Sequence, residues 1–454
     1  MPVPDAQSKI GRVAYLTAGA GGMFCGSCMH DNTLVKALIR RGVDAVLIPT
    51  YTPIRTDEQN VSQQRIFFGG INVYLRQKMP WLRWLPRPAT SWLDNPRLLR
   101  WVANRAMETN ATVLGDLTVS MLRGVDGPHR GEVHKLVDWL ENEVHPSIVV
   151  LSNMLIAGCV PEIKRRLDVP VLVTLQGDDI FLHDLPESHF RQCRELLAEL
   201  DQHVDGYVTN SRFYADFMSR DLNLPRDKFH IAPLAIDAAD LATEPPPPQA
   251  KPPDNRLTIG YLARLAPEKG LHILADAFIK LVQHTALADN DVRLRVAGWL
   301  GPQNKDYAEA VFDKLRRAGL SDQFEYIGQI DRAEKAEFLH SLDVLSVPTV
   351  YQEPKGLFVL ESLAAGVPVV QPHHGAFPEM LRATGGGVLF TPEDDSDLAD
   401  KLVELLVDEE RRSRLAKQGQ HAVLTRFSVG PMADRAVEIY MESSERLRKD
   451  PDKA

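Results

Sequence analysis

Glu353-Pro-Lys-Gly-Leu-Phe-Val-Leu-Glu361, continued by Ser-Leu-Ala-Ala-Gly-Val-Pro-Val-Val370, is the stretch on which the reading of this chain turns. Two carboxylates stand eight positions apart across a loop-to-helix junction. Pro354 sets a turn, and Gly356 supplies backbone freedom where the helix begins. Leu357, Leu360, Leu363 and Ala364 recur at helical spacing, so one face packs inward. Gly366 is the expected stop, Pro368 prevents continuation, and Val367, Val369 and Val370 begin a buried strand. Unpaired N–H groups of Gly356, Leu357 and Phe358 would point out of the helix start, where the dipole favours an anion such as a diphosphate. Glu353 would accept hydrogen bonds from hydroxyls on one side of that anion. Glu361, about one and a half turns into the helix, would accept them on the other. Polyol, diphosphate and ribose in that order make a sugar nucleotide. Two glutamates by themselves suit a solvated or capping role better; the surrounding pattern reverses that.

The stretch 353–370 resembles the E-x7-E signature of the retaining glycosyltransferases of family 4, including the Gly after the first Glu and the Ala-Ala-Gly-x-Pro-Val-Val tail. The resemblance covers the C-terminal half well and the N-terminal half in outline. It implies an α/β chain of GT-B architecture, two Rossmann-like parallel-sheet domains facing an interdomain cleft. It also implies a nucleoside diphosphate sugar as donor substrate, with no cofactor and no metal.

Composition bounds the rest. At 454 residues the chain is too long for one ordinary domain. A hydrophobic content of 44% is enough for full cores. The formal net charge of −9 gives no overall electrostatic case for nucleic acid. No apolar run is long enough to span a bilayer. The N-terminal Met-Pro-Val-Pro-Asp-Ala-Gln-Ser-Lys lacks an apolar signal core, so a cytoplasmic protein is expected. Four cysteines in this length make no disulfide scaffold.

In the N-terminal half, a strand over 10–18, a glycine-rich loop 19–22, a helix over 27–41 and a strand over 43–49 make a βαβ unit and predict a parallel sheet. The glycines form no dinucleotide fingerprint, because Phe24 stands where the third would fall and no acidic residue ends the second strand. The resemblance instead matches Gly21 and Gly22 to a glycine pair near donor phosphate and acceptor. Cys25-Gly-Ser-Cys28 reads as two reduced thiols, since no second pair completes a zinc site; a redox switch is the lesser reading. Residues 71–105 hold four of the six tryptophans, alternating with arginines, which suits a hydrophobic subdomain under snorkelling arginines. An acceptor-binding or membrane-surface patch is the functional alternative, with peripheral contact on the cytoplasmic face.

The βα rhythm then resumes, with helices over 132–143 and 155–167 and strands over 148–151 and 169–175. The last strand runs into Gln176-Gly-Asp-Asp179, at the strand end where ligands of open parallel sheets sit. The family usually has a His near this place, so Gln176 departs from the pattern. It can still donate and accept hydrogen bonds to the donor. Asp178 and Asp179 suit capping the following segment. A strand over 205–210 precedes Ser211 as helix cap, and Pro233-Leu-Ala-Ile-Asp237 keeps the register of the family's Pro-Asn-Gly-x-Asp without its Asn-Gly. Six prolines fall within 238–256, which rules out helix or sheet interior and places the linker there. The expected division is 1–237, 238–256, 257–428, and a final helix in 429–454 that crosses back to the first domain as in family members.

In the C-terminal half, a strand over 257–262 precedes Ala263-Arg-Leu-Ala-Pro-Glu-Lys-Gly270, which matches the family pattern of an Arg followed by Lys-Gly. Arg264 and Lys269 are the cations expected on the donor diphosphate, where leaving-group charge develops. Gly298 ends a strand where family members approach the nucleotide. A strand over 343–348 feeds the opening motif, and His373-His-Gly-Ala-Phe-Pro-Glu379 resembles the family's loop in which a Gly is shortly followed by a Glu, with one residue more between them here. Catalysis is thus assigned to Glu353, Arg264 and Lys269, and donor binding to Gly21, Gly22, Gln176, Gly298, Gly356, Leu357, Phe358 and Glu361. The expected acceptor is a glycan, a lipid or a small molecule. The alternatives are a GT-B epimerase or phosphorylase, or a non-catalytic nucleotide-sugar-binding protein.

Overall fold

The computed structural model describes residues 10–19, 26–54, 59–63, 65, 67, 111–242 and 256–449. Gly21, Gly22, Cys25, the Trp/Arg-rich segment 71–105 and the proline run of the linker lie outside the described residues.

The first sheet is built from β1 (Val13–Thr17), β2 (Ala45–Pro49), β3 (Ile148–Leu151), β4 (Val171–Thr174), β5 (Gly206–Thr209) and β6 (Phe229–Ile231), in the order β2-β1-β3-β4-β5-β6. The second is built from β7 (Arg256–Leu262), β8 (Asp291–Ala297), β9 (Phe324–Gly328), β10 (Val344–Leu345), β11 (Val369–Pro372) and β12 (Gly387–Phe390), in the order β12-β11-β10-β7-β8-β9. All the strand pairs are parallel. Val13–Thr17, Ile148–Leu151 and Val171–Thr174 are buried at every position, as sheets covered on both faces require. The continuous β-branched and aliphatic runs in the sequence therefore become central strands.

The chain divides into two compact units, Met1–Pro233 with Met432–Ala454, and Leu234–Pro431. Residues 234–237, expected with the first domain, belong to the second. Leu234 and Ile236 pack in its core, and the Ile236 amide donates to the Phe427 carbonyl at 3.0 Å. The long final helix, Val429–Lys449, gives Ala433, Ile439 and Tyr440 to the interior of the N-terminal unit. No helix among the described residues is long and apolar enough to cross a membrane.

Two expected elements differ. The helix expected over 155–167 is a tight 3-10 stretch, Met154–Cys159, followed by the helix Val160–Arg166. Pro161 has no N–H and a fixed φ, so the α-helix can begin around it but cannot run through it. The strand expected over 343–348 pairs only at Val344–Leu345, because the chain leaves the sheet to form the loop that carries residues 349–356.

Topology fixes where a ligand would sit. In the second sheet, β7 lies between β10 on one side and β8 on the other, so strand order reverses between β7 and β10. The crevice at the carboxyl ends of such a pair is where open parallel sheets bind ligands. Arg264 and Lys269 follow β7, and Glu353 follows β10.

Candidate functional site

The two loops at this reversal are laced together. The Val350 amide donates to the Glu268 carbonyl at 3.0 Å. Gly270 has φ +72°, and a Cβ there would lie 1.8 Å from the Pro348 carbonyl oxygen, so only glycine permits the approach. Gly270 also starts the helix Leu271–Leu281, whose apolar face anchors the loop to the core.

This lacing brings Lys269 to Glu353. The Lys269 ammonium donates to Glu353 Oε2 at 2.7 Å and to the Tyr351 hydroxyl, and it lies 4.8 Å from the centre of the Tyr351 ring. The Tyr351 hydroxyl donates to the same carboxylate oxygen. The other oxygen, Oε1, accepts from the backbone amides of Lys355 and Gly356, each at 3.3 Å. Burial pushes the Glu353 carboxyl up, but Lys269, the phenol and the Lys355 amide outweigh it and hold it at about 2. Burial and the neighbouring Glu353 push Tyr351 well above the usual phenol range, so it stays protonated.

These contacts correct two expectations. Glu353 is 4% exposed with both oxygens engaged, so it is an internal partner of Lys269 rather than an open acceptor for hydroxyls. The Gly356 N–H is turned onto Glu353 rather than left unpaired. Gly356 does sit at the helix start, with φ +70° and no side chain capping the helix Leu357–Ala364. That leaves the amides of Leu357 and Phe358 as the first-turn donors without an intrahelical partner. Leu357 is half-buried and Phe358 is buried against the core.

Glu361 is held by Lys335, whose ammonium donates to its Oε1 at 2.8 Å; the two side chains are 15% and 13% exposed. Arg264 is half exposed, and among the described residues its guanidinium reaches only Glu268, at 3.2 Å. Gly298 has φ +148°, and a Cβ there would lie 1.7 Å from the Ala263 carbonyl oxygen. Its structural reason is therefore close backbone packing, which seats the start of the Arg264 loop beside the end of β8. Gly375, in the loop after β11, has φ +60° and would press a Cβ on the Glu353 backbone N and O at 2.7 and 2.6 Å.

Gln176 lies in the N-terminal unit, just beyond β4. Its Nε2 donates to Asp31 Oδ1 at 2.8 Å and to the Ser152 carbonyl at 3.2 Å, and its buried Oε1 has no hydrogen-bond partner among the described residues. Asp31 is fully buried and also accepts from the hydroxyls of Tyr15 and Thr17 at 3.0 and 2.8 Å. Asp178 accepts from the amides of Met154 and Gln176, and the Tyr214 hydroxyl donates to Asp179 at 2.5 Å. The two aspartates thus hold the loop itself. Sequence reasoning missed Tyr351, Lys335 and Asp31. Tyr351 is signalled only by standing two positions before Glu353, and Asp31, among the polar His30, Asn32 and Thr33, has no local signal that sets it apart.

Residues 244–422 match the model of the family "Glycosyl transferases group 1". The chain is 28% identical over 273 residues to the D-inositol 3-phosphate glycosyltransferase of Stackebrandtia nassauensis, covering 59% of this chain and 60% of that protein. It is 32% identical over 184 residues to the phosphatidyl-myo-inositol mannosyltransferase of Mycobacterium leprae, covering 40% of this chain and 46% of that protein. The chain thus spans between about half and three-fifths of the length of these two relatives. Among solved structures, the sucrose-phosphate synthase of Thermosynechococcus elongatus superposes with a TM-score of 0.67 at 16% identity, over 95% of this chain and 98% of that one. Anabaena HepE in complex with UDP superposes at 0.65 and 16% identity, over 95% of this chain and 100% of that one. These neighbours share its two-sheet GT-B fold. The similarity to the glycosyl transferases group 1 lies in residues 244–422, less than half of the chain.

Proposed function

We propose that the protein transfers a sugar from a nucleoside diphosphate sugar to an acceptor hydroxyl, with retention at the anomeric carbon and without a metal ion. The observation that carries this reading is the Lys269–Tyr351–Glu353 knot, placed with Arg264 and the start of the helix Leu357–Ala364 at the strand-order reversal of the second sheet. As the glycosidic bond breaks, charge develops on the departing diphosphate, and fixed donors aimed there lower the barrier. Glu353 neutralises Lys269, so the surplus positive charge comes from the Arg264 guanidinium and the helix start. The Lys269 ammonium has three N–H donors and spends two on Tyr351 and Glu353, leaving one for a phosphate oxygen. Glu353 orients that lysine. Glu361, with one oxygen on Lys335, offers the other to ribose hydroxyls. No carboxylate acts as nucleophile; attack comes from the face that the diphosphate leaves, and the diphosphate takes up the acceptor proton.

The donor of first choice is UDP-glucose, since HepE was solved with it, and the acceptors of first choice carry inositol phosphate, as in the names of the two bacterial relatives. Transfer is measured from UDP-, GDP- and ADP-sugars to inositol phosphate, phosphatidylinositol and simple glycans. Lys269→Ala is expected to lower kcat by about a hundredfold or more, the scale of losing one fixed donor to developing charge, and Glu353→Gln to lower it similarly by releasing the lysine it orients. Wild-type turnover in either variant, with the fold intact by circular dichroism, overturns the reading.

A further inference from the structure

We propose that Tyr351 is a positioning residue that holds the Lys269 ammonium away from full collapse onto Glu353 and aims its remaining N–H at the ligand. The inference rests on the reading of this site as a diphosphate site, and it goes beyond that reading by naming what sets the lysine's direction.

The chemistry of the three groups leaves one arrangement. Lysine only donates and an ionised carboxylate only accepts. The phenol must therefore accept from Lys269 and donate its own proton to Glu353. It stays protonated, because burial and Glu353 both oppose its ionisation. The ring adds a second constraint, since the ammonium lies 4.8 Å from its centre, within cation–π range. A lysine on a flexible four-carbon stem has no intrinsic direction. Here one N–H is fixed on the phenol, one on Oε2, and the third is fixed by geometry. Because the phenol also donates to Oε2, the carboxylate's charge is shared between Tyr351 and Lys269. Without the hydroxyl, the only partner left for the ammonium among the described residues is Glu353, and the pair closes on itself.

The loop makes the position rigid. Val350, next to Tyr351, is tied to the Glu268 carbonyl, next to Lys269. Tyr351 and Lys269 are thus presented by two backbones that hydrogen-bond to each other. Tyr351 belongs to neither glutamate of the spaced pair.

The test is a double-mutant cycle read by calorimetric titration of UDP, GDP and ADP into the full chain. Tyr351→Phe keeps the ring and removes only the hydroxyl. It should weaken binding of the preferred nucleoside diphosphate about tenfold, the scale of one hydrogen bond to a charged group. In a Lys269→Met background, adding Tyr351→Phe should change affinity by less than about twofold, because the group it acts through is gone. An equal loss in both backgrounds shows a merely structural role and overturns the proposal, as does wild-type affinity in Tyr351→Phe. Tyr351→His, which keeps a ring with polar atoms, serves if the Phe variant does not fold, and it should bind between the wild type and the Lys269→Met variant; affinity equal to either one overturns the proposal. If the wild type binds none of the three nucleotides, the reading of the site fails and the proposal falls with it. If the wild type binds and the cycle is additive, only the proposal falls.

Discussion

Lys269 and Glu353 form an ion pair with side chains 13% and 6% exposed, and the pair's value lies in what its loss would leave. Removing the lysine strands a buried carboxylate, which costs about 3–5 kcal/mol in comparable settings. The same pair has a pH signature. Glu353 is depressed from 4.5 to about 2 in the folded protein, so its stabilisation is complete above the unfolded value and is lost as pH falls from about 4.5 toward 2. Thermal melts of the wild type should therefore lose stability across that acid window, and Glu353→Gln should flatten this part of the profile. An unchanged acid slope in Glu353→Gln would contradict the assignment. At this scale the sequence is legible where charge and spacing coincide. Glu353 and Lys269 stand out because the spaced glutamate pair and the Arg264 to Lys269-Gly270 loop resemble a family's motifs, not because either pattern identifies a site by itself. Tyr351 is not readable, since a tyrosine in a loop has no periodicity and its role exists only once Lys269 folds against it. Nor is the engagement of both Glu353 oxygens, which depends on the chain turning back so that the amides of Lys355 and Gly356 face the carboxylate.

Two loops, one after β7 and one after β10, make the candidate site, and glycine decides whether they can meet. Gly270 sits in the left-handed region with the Pro348 carbonyl where a side chain would go. Gly270→Ala should destabilise the C-terminal unit by about 2 kcal/mol, the sum of a strained φ and a forced backbone shift. It should also weaken nucleotide binding, because Lys269 precedes it directly. A chemical-denaturation midpoint and affinity both equal to wild type would refute that account. The helix Leu357–Ala364 and the strand β11 follow the expected periodicity closely, since an apolar face and a Gly-x-Pro stop leave few alternatives. β10 is shorter than its apolar run suggests. Val347 is as buried as Leu345, yet it lies in the departing loop, and hydrophobicity reports burial without reporting pairing. Residues 154–166 show a similar limit, for the apolar spacing marks the buried face but not the break that Pro161 imposes.

At the scale of the whole molecule, the family match at 244–422 falls within the C-terminal unit, Leu234–Pro431. The βαβ signal of residues 10–49 predicts one parallel sheet, and the expectation of two such sheets comes from the resemblance carried by residues 353–370. The N-terminal unit is less legible in function. Its buried network at Asp31, Tyr15, Thr17 and Gln176 joins residues up to 161 positions apart, and no local pattern announces it. With a net charge of −9, the chain as a whole does not attract an anionic ligand, so on the proposed reading the attraction rests on the local cations Arg264 and Lys269. The most direct test is a thermal-shift titration of the full chain with UDP, GDP and ADP, in the wild type and in Lys269→Ala. A nucleotide present at about a hundredfold over its Kd adds about 2.7 kcal/mol of stability through linkage. One of the three should raise the wild-type Tm by several degrees and leave Lys269→Ala unmoved. No shift with any nucleotide, or the same shift in both proteins, would contradict the claim that these loops grip a nucleoside diphosphate.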